Sequence, residues 1–85
     1  MRIELFGIAR VRAGTDAVEV KALTVEDSLR ALARACPQLV PEVINDGRLT
    51  VHFLASLNGE LFVSDPDRTL RPEDTLLILG AQAGG

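Results

Sequence analysis

Apolar residues recur along this chain in short blocks whose spacing runs from two, to three or four, and back to two. That pattern predicts strands flanking one main helix. Ile3 and Leu5 alternate with Phe6 and Ile8 across residues 2–8, which reads as a first strand with apolar side chains on both faces toward its end. Residues 9–13 carry two arginines, Gly14-Thr15-Asp16 supplies turn residues, and residues 17–21 resume the alternation. The segment is expected to be an N-terminal hairpin.

Thr24 marks the start of the helix, because its hydroxyl can accept from the otherwise unpaired amide of Asp27. Glu26 and Asp27 stand at the positive end of the helix dipole. Val25, Leu29, Leu32, Ala33 and Cys36 follow on one stripe, Arg30 and Arg34 point outward, and Pro37 stops the element. Residues 38–46 read as a connector with one short helical turn, closed by Asn45-Asp46-Gly47.

The strongest strand pattern lies in residues 49–57, with Val51, Phe53, Ala55 and Leu57 on one face and His52, Leu54 and Ser56 on the other. Asn58-Gly59 is the preferred pair for a two-residue hairpin turn, and residues 60–63 form the returning strand. Ser64 to Arg68 is a polar turn, Leu70 is expected to point inward, and residues 71–74 lead to a last strand at 75–79.

This order of elements fits an α+β fold, a mixed sheet of about five strands wrapped on one main helix, the β-grasp of ubiquitin-like proteins. The domain is expected over residues 1–80, with a flexible tail at 81–85. One helix covers one sheet face, so Phe6, Ile8, Leu54, Leu61 and Leu79 remain as an apolar outer set of the kind that marks a protein-binding surface.

Composition narrows the function. A net charge of −3 with interspersed signs provides no basic stripe for nucleic acid. No apolar run approaches the roughly 20 residues of a membrane span, and Met1-Arg2-Ile3-Glu4 does not open like a signal peptide, so a cytoplasmic location is expected. One cysteine and one histidine rule out an internal disulfide and leave too few ligands for a zinc site. Cys36 belongs to the helix stripe and reads as core, whereas His52 has no local acid or nucleophile beside it and reads as an exposed strand residue. Gly7 and Gly14 match no phosphate loop, and Glu26, Asp27, Glu73 and Asp74 serve as helix-start and turn residues. The chain is expected not to be an enzyme and to bind no cofactor or metal of its own.

The tail carries the chemistry. Residues 81–85 are small apart from Gln82 and can reach about 17 Å at roughly 3.4 Å each, enough to place the terminal carboxylate in another protein's active site. A partner closing around Ala83-Gly84-Gly85 would have to widen its channel for any Cβ in the last two residues. A free carboxylate is a poor electrophile, so the expected route is ATP activation to an acyl-adenylate, then attack by a sulfur nucleophile to give a thiocarboxylate on Gly85.

Across its whole length the sequence resembles the MoaD/ThiS family of sulfur carriers, most closely the molybdopterin synthase small subunits. The resemblance rests on Leu5-Phe6-Gly7-Ile8-Ala9-Arg10-Val11-Arg12, Thr24-Val25, Leu57-Asn58-Gly59, Leu70 through Asp74, and Ala83-Gly84-Gly85. It implies that an E1-like enzyme of the MoeB/ThiF type adenylates Gly85 with Mg-ATP, and that a sulfurtransferase supplies the sulfur. It further implies that a large synthase subunit of the MoaE type receives the thiocarboxylate, in a heterotetramer whose catalytic residues belong to that subunit. Ile8, Leu61 and Leu79 match the family's apolar docking patch. Three other readings stay open: a carrier for cysteine, thiamin or transfer-RNA thiolation, a protein modifier joined through Gly85 to lysines, and a binding module with an inert tail.

Overall fold

Alternation carries the first strand, β1 (Arg2–Leu5), only as far as Leu5. In the computed structural model, which describes residues 1–81, Gly7 takes φ +56° and the chain turns into a helix, α1 (Gly7–Ala13). This corrects the expected first strand over residues 2–8 and its simple hairpin. The helix was hidden because its buried face consists of Ala9 and Ala13, four apart and small, while the bulky Ile8 and Val11 project into solvent. Gly14 ends α1 in the left-handed region at φ +72°, its N–H donating to the Arg10 carbonyl. Gln38 Nε2 donates to the Ala13 carbonyl at 3.0 Å, satisfying a second helix-end acceptor.

Strand β2 (Ala17–Glu19) then pairs antiparallel with β1. The main helix, α2 (Val25–Ala35), begins as the sequence predicts, with the Thr24 hydroxyl accepting from the Asp27 amide at 3.1 Å. Val25, Leu29 and Leu32 are buried on its inner stripe, with Cys36 at its end, and Ser28 among them donates to the Val25 carbonyl at 2.7 Å. Pro37 opens a 3₁₀ turn (Pro37–Leu39) in the expected connector.

The connector also holds an unexpected two-stranded ribbon, β3 (Ile44–Asn45) and β4 (Arg48–Leu49), turning through Asp46-Gly47. Residues 49–57 are therefore not one strand. The Thr50 hydroxyl and amide are tied to the Glu42 and Val43 carbonyls at 2.9 and 3.0 Å, and the Phe53 amide reaches back to the Thr50 carbonyl at 3.1 Å. That turn leaves Val51 87% exposed and His52 exposed outside any strand.

Beyond it, β5 (Phe53–Leu57), β6 (Leu61–Val63) and β7 (Thr75–Gly80) complete a five-stranded sheet in the order β2-β1-β7-β5-β6. β7 runs parallel to β1 and antiparallel to β5, so the sheet is mixed, as expected for a β-grasp. Ile3 and Leu5 of β1 and Leu76 and Ile78 of β7 face α2 at the centre and are sealed from water together with Leu32, Leu39, Val43 and Ile44. Leu70 is buried as predicted.

Candidate functional site: a central strand leading to the tail, and the sheet face beside it

β7 lies between β1 and β5, so the last strand of the described residues is at the centre of the sheet. Gly80 pairs with Phe53, and the Ala81 amide donates to the His52 carbonyl at 2.8 Å. Ala83, Gly84 and Gly85, expected to thread into a partner's active site, lie outside the described residues.

Register determines which side chains stand on the outer face. Leu54 pairs with Leu79, and Ser56 pairs with both Leu77 and Phe62. Residues paired across strands share a face, so Leu54, Leu77, Leu79 and Phe62 form one apolar surface opposite α2. Leu54 is 40% and Phe62 64% exposed, while Leu77 and Leu79 are half-buried. Phe6 follows the Leu5–Ile78 pair, its amide donating to the Ile78 carbonyl at 3.2 Å, and Arg10 lies 5.4 Å over its ring. The other half of this face is charged: Arg2 pairs with Glu4 at 2.9 Å and with Glu19 at 4.0 Å. The apolar half thus adjoins β7, the last strand of the described residues.

Of the five residues predicted for this face, Phe6, Leu54 and Leu79 stand on it. Ile8 is 65% exposed on the first turn of α1, outside the sheet. Leu61 does not stand on this face, because it pairs with Leu57 and so has the parity of the helix side. The cause is one residue. Asn58 and Gly59 take the positive φ values foreseen, 56° and 71°, and the Glu60 amide closes the turn on the Leu57 carbonyl at 3.0 Å. Pairing resumes only at Leu61, so Ser56 meets Phe62 instead of Leu61 and the alternation of β6 is inverted. Phe62 and Leu77 are the surface residues that the sequence reading missed. Leu77 could have been found by extending the Leu79 parity back along β7.

The two inner motifs of the resemblance meet at the opposite end of β7. Asn58 Nδ2 donates to Asp74 Oδ1 at 3.1 Å, and the Thr75 amide donates to Asn58 Oδ1 at 2.8 Å. Asp74 Oδ2 accepts from the Arg71 amide at 2.8 Å. The Arg71 N–H, with the Asn58 amide, holds the Asp74 carboxyl below the ordinary aspartate range. This clasp joins the β5–β6 turn to the start of β7.

Cys36 is buried, and burial pushes its thiol up. Among the described residues no cluster of His, Cys, Asp and Glu could hold a metal ion. A cleft of about 400 Å³ between α2 and β6 is lined mainly by apolar groups such as Val25, Leu29, Phe53 and Val63, together with Arg48. No described helix is long and apolar enough to cross a membrane.

No protein-family model matches the chain, and no curated protein matches it. Solved structures do. SAMP1 from Haloferax volcanii superimposes with a TM-score of 0.83 at 31% identity, over 99% of this chain and 97% of that one. Small archaeal modifier protein 1 from Methanosarcina acetivorans gives 0.83 at 23% identity, over 99% and 94%. A chain of the BexX/CysO complex from Amycolatopsis orientalis gives 0.80 at 24% identity, over 99% and 98%. The chain belongs to the β-grasp family of ubiquitin-like sulfur carriers and modifiers to which SAMP1 belongs.

Proposed function

We propose that this protein works through the carboxylate of Gly85, which an E1-like enzyme adenylates with Mg-ATP and a sulfurtransferase pathway converts to a thiocarboxylate. The thiocarboxylate then donates sulfur in molybdopterin biosynthesis, with this chain as the small subunit of the synthase. The observation that carries the reading is the position of β7: the central strand leads toward Ala83-Gly84-Gly85 and contributes Leu77 and Leu79 to the apolar face beside it. A partner seated on that face has the end of the strand beside it.

The chain's own residues supply docking and delivery. Leu54, Phe62, Leu77 and Leu79 offer apolar area to a partner, and the charged half of the face, with Arg2, Glu4 and Glu19, orients it. Activation and sulfur transfer take place in the partners' active sites, so the chain is a cosubstrate.

A second reading, a modifier joined to other proteins through Gly85, is favoured by the 31% identity to a protein named as a small archaeal modifier. Deleting the gene and restoring it with or without the codon for Gly85 separates these readings. Molybdopterin should disappear and return only with the complete chain. Normal molybdopterin with a new requirement for cysteine or thiamin would move the assignment to another sulfur pathway. Loss of protein adducts alone would favour the modifier, and full rescue by the shortened chain would remove both.

A further inference from the structure

The arginines of the chain divide by whether a partner answers them. Arg2, Arg12, Arg30 and Arg48 each lie against a carboxylate, at 2.9, 3.2, 3.1 and 3.7 Å, and Arg10 donates to the Leu5 carbonyl at 3.0 Å beside the Phe6 ring. The side chains of Arg68 and Arg71 enter no ion pair or hydrogen bond among the described residues. Both are exposed, and both line one depression of about 310 Å³ together with Leu57, Thr69 and Asp74.

The backbone beneath these side chains is fixed. The Arg68 amide donates to the Asp65 carbonyl at 3.1 Å, its own carbonyl accepts from the Val25 amide at 3.0 Å, and the buried Leu70 donates from its amide to the Leu23 carbonyl at 2.9 Å. Asp74 holds Arg71 twice: Oδ2 accepts from the Arg71 amide at 2.8 Å, and the Asp74 amide donates to the Arg71 carbonyl at 3.0 Å. The Asp74 carboxylate is taken up by the Arg71 and Asn58 N–H groups, and its one negative charge offsets only one of the two guanidiniums. Asp65, Asp67 and Glu73 are close in sequence but do not line the depression, and Asp65 Oδ1 accepts from the Asp67 amide at 2.9 Å. Two like charges converging on one hollow repel each other, a cost that an anion between them removes.

We propose that the depression between Arg68, Thr69 and Arg71 binds a phosphate group, free or carried by a small organic molecule. One guanidinium fork satisfies the two oxygens of a carboxylate, whereas two forks and a hydroxyl need an anion with more acceptors. A phosphate presents at least three terminal oxygens in a tetrahedral arrangement, so it can accept from Arg68, Arg71 and the Thr69 hydroxyl together. Half-buried Leu57 offers an apolar wall to a carbon skeleton attached to the phosphate. The site lies at the end of the sheet where β7 begins, about 20 Å along the strand from Gly80 at roughly 3.3 Å for each of its 6 residues, so its occupation is independent of the function proposed above.

The test titrates the ¹⁵N-labelled full-length chain with inorganic phosphate, and separately with phenyl phosphate, reading amide and guanidinium resonances. Sodium chloride keeps the ionic strength constant, because exposed charges are screened by salt. Saturable shifts confined to Leu57 and residues 68–74 are expected. Arg71→Gln, which keeps the backbone N–H that Asp74 uses, should raise the dissociation constant about tenfold or more, with the Asn58 side-chain amide unshifted as the sign of an intact clasp. Arg68→Gln, at a side chain with no partner to lose, should do the same and decides the matter if Arg71→Gln disturbs the clasp. Tighter binding of phenyl phosphate would assign a phosphorylated organic molecule, and equal binding would assign free phosphate. Shifts that rise linearly without saturating, that spread equally to Arg12, Lys21 and Arg34, or that survive in Arg68→Gln would overturn the proposal.

Discussion

The two faces of β7 are built from neighbouring residues of one strand and serve opposite ends. Leu76 and Ile78 point toward α2 and are sealed in the core, while Leu77 and Leu79 point away from it beside Leu54 and Phe62. Chemically the two sets are almost the same. What separates them is only what covers them, so hydrophobicity alone does not distinguish a core from a docking face. Substitutions on the two faces should therefore differ in which property they change.

The largest effect is expected on the inner face. Leu76→Ala should lower stability by about 2–5 kcal/mol, because the lost side chain leaves a void between α2 and the central strands. Denaturant unfolding measures it. If Leu76→Ala unfolds at the wild-type midpoint, the inner face is not the structural one. On the outer face, Phe62→Asp should leave unfolding within about 1 kcal/mol of wild type while weakening the activating-enzyme complex by roughly tenfold or more. Calorimetric titration against that enzyme reads the second number, and unchanged affinity would dissolve the contrast between the faces.

Legibility in the sequence followed the same division. Elements fixed by local chemistry were readable: the Thr24 cap, the stripe of Val25, Leu29 and Leu32, the Pro37 stop, and the positive φ at Asn58-Gly59. Elements fixed by distant partners were not. α1 shows no bulky stripe because its buried residues are Ala9 and Ala13, and its polar satisfaction comes partly from Gln38, 25 residues away. The break at Thr50 depends on carbonyls of Glu42 and Val43 across the small ribbon. The outer surface failed at Leu61 because alternation has a period of two, and one added loop residue exchanges the faces of a whole strand.

Smaller effects test the supports of β7. Thr24→Ala removes the acceptor for the Asp27 amide and should cost about 1 kcal/mol without affecting the outer face. Asp74→Asn is expected to cost about as much at neutral pH, and it carries a pH signature. Because the folded-state carboxyl titrates below its unfolded value, Asp74 contributes stability above the ordinary aspartate pKa, and this is lost as pH falls through the depressed folded value. Stability of Asp74→Asn should therefore fall less steeply than wild type below about pH 4. Parallel acid limbs in the two proteins would show that the clasp is not what holds this carboxyl down.

The central claim is that the protein presents an activatable acid group to a catalyst seated on its exposed sheet surface. Intact-mass measurement after incubation with purified activating enzyme, Mg-ATP and a sulfur donor tests it most directly. The mass should rise by the exchange of one oxygen for one sulfur at the C-terminus, more slowly for Phe62→Asp and not at all when Gly85 is deleted. An unchanged mass, with the enzyme shown to be active on another carrier, would contradict it.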